Sequence, residues 1–173
     1  MAAVELAAFD QPVIPELIAD LRGGDAWVRG LSLVAVHADE VVGHVLFTRS
    51  ILDTVERLVD VLVLSPLAVS PSWQGRGVGS ALVRHGLQEL QARPEPLVFL
   101  EGAPSFYPRF GFTPAGPLGF RRPSLRIPEA AFQVVRLPSY EPWMTGTLVY
   151  AAAFWRHDCV GLRGERLGAM TTH

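Results

Sequence analysis

Between Leu31 and Val69 the chain runs through short stretches of apolar, largely β-branched residues separated by brief polar breaks, the pattern of strands. Leu31–His37 and Val41–Arg49, joined by the tight polar connection Ala38–Asp39–Glu40, predict a hairpin. A further strand is predicted over Val59–Val69, with Pro66 in its middle. Proline has no N–H to give a ladder, so the strand must be bulged, splayed or paired on one side only there. The period changes after the turn Ser70–Gly75. Gly79, Leu82, Val83, Gly86, Leu87 and Leu90 share one side of a helical wheel and Ser80, Arg84, Gln88 and Gln91 the other, which predicts an amphipathic helix over about 77–92. Arg93–Pro94 ends it, and Leu97–Leu100 reads as a short buried strand. Strand, helix, strand in that order implies a parallel pair with a right-handed crossover. Upstream, Val4–Phe9 and Val13–Leu21 predict two short helical pieces broken at Gln11–Pro12 and ended by Gly23–Gly24–Asp25. Beyond Gly111 the chain is rich in Pro and Gly, with strands expected near Phe132–Leu137 and Thr147–Ala151. The class is mixed α/β on one sheet.

Composition narrows the function classes. With 173 residues, 49% of them apolar and 18% charged, one domain over 1–173 is expected, with a core that needs no disulfide or metal staple. A disordered, collagen-like or coiled-coil chain is excluded. A net charge of −2, from 15 basic and 17 acidic residues, argues against a general binder of nucleic acid or of acidic membranes. Every basic residue is Arg, which removes Schiff-base chemistry and the phosphate-gripping lysine of a P-loop. Cys159 stands alone, without the companions of a disulfide or zinc site. Glu5 and Asp10 interrupt the Ala-rich start, so it makes a poor signal peptide, and the longest apolar runs fall far short of a membrane span. A soluble cytoplasmic protein is expected.

The most informative segment runs from Leu67 to Ala81, Leu-Ala-Val-Ser-Pro-Ser-Trp-Gln-Gly-Arg-Gly-Val-Gly-Ser-Ala, where a strand feeds a glycine turn and the turn feeds a helix. Glycines at 75, 77 and 79 allow positive φ and bring bare N–H groups close to a ligand, and with the positive end of the helix they suit a phosphate or pyrophosphate. Arg76 adds a charge at the rim. A Walker loop is excluded by the missing lysine. A dinucleotide fingerprint is disfavoured by Ser80, which stands where a third small packing residue belongs, and by the turn's place in mid-chain. A glycine-rich helix start with no ligand is the bland alternative.

The string Gln74-x-x-Gly77-x-Gly79, after an L-x-V strand end, resembles the acetyl-coenzyme A signature of the GNAT N-acetyltransferase superfamily. Downstream, Gly102-Ala-Pro-Ser-Phe-Tyr-Pro-Arg-Phe-Gly-Phe112 resembles that family's Y-x-K/R-x-G-F element, with Tyr107, Arg109, Gly111 and Phe112 in register. Val-Val-Gly-His-Val-Leu-Phe47 is similar to its third strand. The likeness is strongest to the bacterial branch often called predicted N-acetyltransferases. It covers residues 4 to 115 well, the expected core, and the C-terminal strands and loops 116–173 loosely.

The resemblance implies a mostly antiparallel central sheet flanked by helices and splayed between its fourth and fifth strands, here those ending at Val69 and Leu100. It implies acetyl transfer from acetyl-CoA, as co-substrate, to a small-molecule or peptide amine, with neither metal nor covalent enzyme intermediate. Pantetheine would pair with the backbone of Leu67, Ala68 and Val69. Amides from about Arg76 to Ser80, Gly77 and Gly79 among them, would hold the pyrophosphate, and Gln74 a phosphate or ribose. Tyr107 matches the family's tyrosine acid; its plain alternative is an aromatic packed beside Phe106 and Phe110. The carboxylate that many members carry on the fourth strand is absent from Val61–Pro66, so the base stays open among Glu101, His44, Asp60 and water. That absence also motivates a non-catalytic CoA-binding module or sensor. A second departure lies at the start, where members open with a strand before the first helix. Either that strand is missing here or the true start lies upstream, and a homodimer covering the exposed edge is compatible with the aromatic C-terminal third. Trp73, Trp143, Trp155 and the Arg121–Arg122 pair with Arg126 carry bland readings: buried or interface tryptophans rather than the lining of a substrate mouth, and a solvated loop rather than a clamp for an acidic substrate. Cys159 reads as a small apolar filler.

Overall fold

Two long antiparallel strands, β2 (Glu40–Thr54) and β3 (Leu58–Val69), carry the sheet. The structure, a computed structural model, describes residues 1–163; the rest of the stretch 116–173 lies outside the described residues. The first half of β2 pairs with β1 (Ser32–His37) through a tight turn that holds Ala38 and Asp39 at positive φ. Its second half pairs with β7 (Gly146–Val149). Strand β2 therefore continues well beyond the predicted end at Arg49, because Leu52 is buried in the core and Ile51–Thr54 gain a second partner 95 residues or so downstream, near Gly146.

On its other side β3 runs parallel to β4 (Leu97–Glu101), and β4 is followed outward by β6 (Phe132–Arg136) and the short β5 (Thr113–Pro114). The order is β1-β2-β3-β4-β6-β5, with β7 branching from β2. Pro66 follows a cis peptide bond, and the register jumps from Val45↔Leu67 to Phe47↔Leu64. Ser65 and Pro66 thus bulge opposite Leu46, and β3 is partnered there only by β2. All three consequences expected of that proline occur together.

Helices cover both faces. On one, α2 (Val13–Gly23) places Leu17, Ile18 and Leu21 against Leu46, Val63 and Phe99, with Phe154 of α4 (Ala152–Arg156) in the same cluster. On the other, α3 (Val78–Glu89) lays Leu82 and Val83 over Val45, Phe47 and Leu62, and the following 3-10 turn adds Leu90. Each such leucine contributes about 2 kcal/mol by leaving water. Close approach is possible because residue 86 is glycine: a Cβ there would fall 2.5 Å from Phe47 Cε2. The first helix, α1 (Ala2–Phe9), begins at the second residue and rests on β2, β3 and α2. Among the described residues no helix is long and apolar enough to cross a membrane.

Candidate active site

The parallel ladder between β3 and β4 consists of Leu62↔Val98 and Val63↔Phe99 and then stops. From Leu64 onward β3 keeps β2 on one side and leaves a cleft on the other. A cavity of about 560 Å³ opens there, walled by Leu67, Val69, Gly77, Gly79, Ser80 and Phe106. Ala68, between the two lining residues of the strand, packs into the core instead, 1% exposed. The glycine turn holds Gly75 at φ +71 and Gly77 at φ +85, a conformation that side-chain-bearing residues rarely take. Gly77 is the N-cap of α3 and gives no side-chain cap, so the first-turn amides of Val78, Gly79 and Ser80 open on the cleft without one. Arg76 lies over the Trp73 ring, 5.1 Å from its centroid, and Gln74 Nε2 donates to the Val69 carbonyl at 3.1 Å.

A larger cavity, about 790 Å³, shares Phe9, Leu67 and Phe106 with the first. It holds Tyr107 and Glu101. Tyr107 starts a 3-10 turn, is 9% exposed, and meets Phe106 edge-on at 4.9 Å and Phe112 at 5.8 Å. Its ring lies against Gly102, where a Cβ would come within 2.5 Å of Tyr107 Cε2. Burial alone pushes the phenol up to about 12. Tyr107 is thus both packed, as the plain reading had it, and at the wall of the cavity.

Glu101 ends β4. The Gly161 amide donates to its two oxygens, at 3.2 and 3.1 Å, and the Tyr150 hydroxyl lies beside it without a hydrogen bond of regular geometry. Desolvation raises its carboxyl to about 7, opposed only in part by the Gly161 amide, Tyr150 and the charge of Arg126. The other two side chains weighed as bases lie elsewhere. His44 is wholly buried, held between Glu5 Oε1 at Nδ1 and the Ser32 hydroxyl at Nε2. Asp60 is exposed near the far end of β3 and pairs with Arg49 at 3.6 Å.

The arginines expected in a solvated loop act as staples: Arg121 bonds Thr147, Arg122 pairs with Glu129 at 3.1 Å, and Arg126 donates to the Val160 carbonyl. Trp155 is exposed. Cys159 is half-buried and lines the larger cavity. Among the described residues no group of three or more His, Cys, Asp or Glu side chains is placed to hold a metal. Tyr150, Gly161 and the α1–α2 segment 9–17 carry no signal for the site in the sequence: they reach it from distant segments, and no local spacing marks them.

Residues 29–114 match the acetyltransferase (GNAT) domain. The chain is 39% identical over 127 residues to the uncharacterized N-acetyltransferase YjhQ of Escherichia coli, covering 73% of this chain and 70% of that protein. The chain belongs to the GNAT acetyltransferase family. YhbS of E. coli, another uncharacterized N-acetyltransferase, is 35% identical over 133 residues, 75% of each chain. In a crystal structure of YhbS in complex with CoA, 90% of this chain and 84% of that one superpose with a TM-score of 0.79 at 30% identity. A GNAT acetyltransferase from Brucella melitensis in complex with acetyl-CoA gives 0.67 at 29% identity over 88% of each chain. The enzyme class is acyltransferase, and the mixed, splayed sheet is that of the family.

Proposed function

We propose that this GNAT protein transfers the acetyl group of acetyl-CoA to an amine, with Tyr107 as the proton donor to the departing thiolate. The observation that carries the reading is the continuity of the cleft: where β3 leaves β4, one passage joins the uncapped start of α3 to the wall containing Tyr107. The residues suit acetyl-CoA as substrate. Amides from Arg76 to Ser80, with Gly77 and Gly79, form the pyrophosphate cradle. The backbone of Leu67, Ala68 and Val69, paired with β2 on one side only, offers its cleft-facing donors and acceptors to the pantetheine arm, and Gln74 and Arg76 stand at the mouth. Bound there, the coenzyme presents an activated thioester carbonyl to the larger cavity.

The free amides of the splayed strand stabilise the oxyanion that amine attack produces. Tyr107, held near 12, stays protonated at every working pH and so serves as donor, not base. A thiol with a reference value of about 8.5 is the stronger acid, so donation from the phenol is uphill unless the proton shed by the nitrogen refills it in the same step.

Thermal unfolding with saturating acetyl-CoA, CoA and NADH tests the donor site. A ligand at about 100 times its Kd stabilises by about 2.7 kcal/mol. A shift with both CoA forms and none with NADH is expected; no shift with either CoA form overturns the reading. Tyr107→Phe should lower kcat by about ten- to a hundredfold with CoA affinity unchanged, and undiminished turnover would remove its role.

A further inference from the structure

Among the described residues, the larger cavity has one charged group with no ionic partner in contact. Asp158 is tied up at the rim by Arg163 at 2.8 Å, and His157 by Asp20 at 3.1 Å. Glu101 accepts from the Gly161 amide, with the Tyr150 hydroxyl beside it and no ion pair among the described residues. Around it the wall is mainly apolar, with Ile14 and Leu17 from α2, Leu64 and Leu67 from β3, and Phe9 and Phe106 on the side shared with the cleft, beside the polar Gln11 and Ser65. Every basic residue of this chain is an arginine, 15 in all; among the described residues none lines this cavity, and Arg126, whose charge reaches Glu101, has its guanidinium on the Val160 carbonyl. An acceptor carrying a carboxylate or phosphate would find no unengaged guanidinium there among the described residues, and a polycation would leave its other charges against hydrocarbon.

We infer that this cavity takes as acceptor a primary amine carried on an apolar, uncharged body, bound as its ammonium against Glu101, which removes the proton. The assignment rests on the acetyl-transfer reading. The step balances as follows. The R–NH3+ group gives one proton to the Glu101 carboxylate, which later releases it to water, and the freed nitrogen lone pair forms the C–N bond at the thioester carbonyl. Collapse breaks the C–S bond, the thiolate takes the Tyr107 proton, and the nitrogen's surplus proton returns to Tyr107. The products are the amide, the free thiol and one proton.

The groups facing Glu101 are the Tyr150 hydroxyl, the Cys159 thiol and the Arg126 guanidinium, with Tyr107, His157 and Asp158 in the same cavity. Glu101 and His157 are the two varied, since His157 lines the same cavity and pairs with Asp20 rather than with Glu101.

The experiment follows thiol release from acetyl-CoA across three panels: apolar monoamines such as phenethylamine and isoamylamine, anionic or zwitterionic amines such as glutamate and glycine, and spermidine with short peptides. The apolar monoamines should exceed the other panels at least tenfold in kcat/KM. Glu101→Gln should lower kcat/KM by about a hundredfold and abolish the limb of the pH–rate profile near 7. Glu101→Asp should restore part of the rate, and His157→Gln should keep the limb. Preference for either other panel overturns the acceptor class while leaving acetyl transfer in place. Full activity of Glu101→Gln overturns the role of Glu101. Binding of CoA with no transfer from any panel overturns both this inference and the proposed function.

Discussion

Two glutamates, Glu5 wholly buried and Glu101 half-buried at a cavity wall, stand at opposite ends of this fold's logic. Glu5, in α1, has no exposed surface and gives one oxygen to His44 Nδ1; His44 passes on to the Ser32 hydroxyl, at 2.9 Å. The chain of contacts pins the first helix to β1 and β2. Glu101, on the wall of the larger cavity, accepts from one backbone amide, has no ion pair among the described residues and carries a carboxyl lifted to about 7. A carboxylate buried with a partner holds elements together. One buried without a partner costs stability, and its retention at a cavity wall points to chemistry.

The strongest way to break the contrast is at the anchored end. His44→Ala leaves Glu5 buried with neither oxygen bonded to a side chain, since Oε2 already lacks a partner among the described residues. Loss of one member of such a pair costs about 3–5 kcal/mol. Urea unfolding should show a drop of that size, with CoA affinity per folded molecule unchanged. A loss below about 1 kcal/mol would mean that α1 is held by its apolar contacts alone.

At the other end the sign reverses. The Glu101 carboxyl titrates higher in the folded protein, at about 7 against a reference of 4.5, so the unfolded chain releases this proton first as pH rises. Stability is therefore lost between about 4.5 and about 7 and stays lost above, a deficit of about 3 kcal/mol at pH 8. Glu101→Gln keeps an oxygen for the Gly161 amide and removes the charge. It should raise stability by up to that amount at pH 8 and by nothing at pH 4, while lowering kcat/KM by about a hundredfold. A less stable variant at pH 8 would make Glu101 a structural anchor like Glu5.

The same contrast marks what the sequence could reveal. The hairpin, the proline-interrupted strand, the glycine turn and the amphipathic α3 are local patterns, and each lies where its periodicity or turn chemistry places it. The splay, too, follows from Pro66, since a strand lacking an N–H loses little by leaving its neighbour. Which side chains face each other across the cleft is another matter. Glu101 reads alike as a solvated strand end or a buried base until Gly161 and Tyr150, about 50 to 60 residues on, are folded over it. His44 reads as a candidate base until α1 delivers Glu5. The extension of β2 to Thr54 was hidden for the same reason: its partner, β7, is remote in sequence and its own stretch mixes Ser50 and Asp53 among the apolar residues.

The finest test lies at Gly102. Its φ is not in the left-handed region, so alanine suits the backbone, yet the new Cβ would come within 2.5 Å of Tyr107 Cε2. The backbone at 102 has little freedom to retreat: its N–H donates to Ala131 at 3.0 Å and its carbonyl accepts from Gln133 Nε2 at 3.2 Å. The Tyr107 ring must move instead. In Gly102→Ala, kcat should fall about tenfold, equivalent to about 1.4 kcal/mol, with the KM for acetyl-CoA unchanged. Gly86→Ala makes an equally close clash, with Phe47, but far from the cavity wall. Its cost of about 1–3 kcal/mol from overpacking should appear in stability and leave kcat alone. If Gly102→Ala behaved in the same way, the position of Tyr107 would not matter to turnover, and the tyrosine would be a packing residue after all.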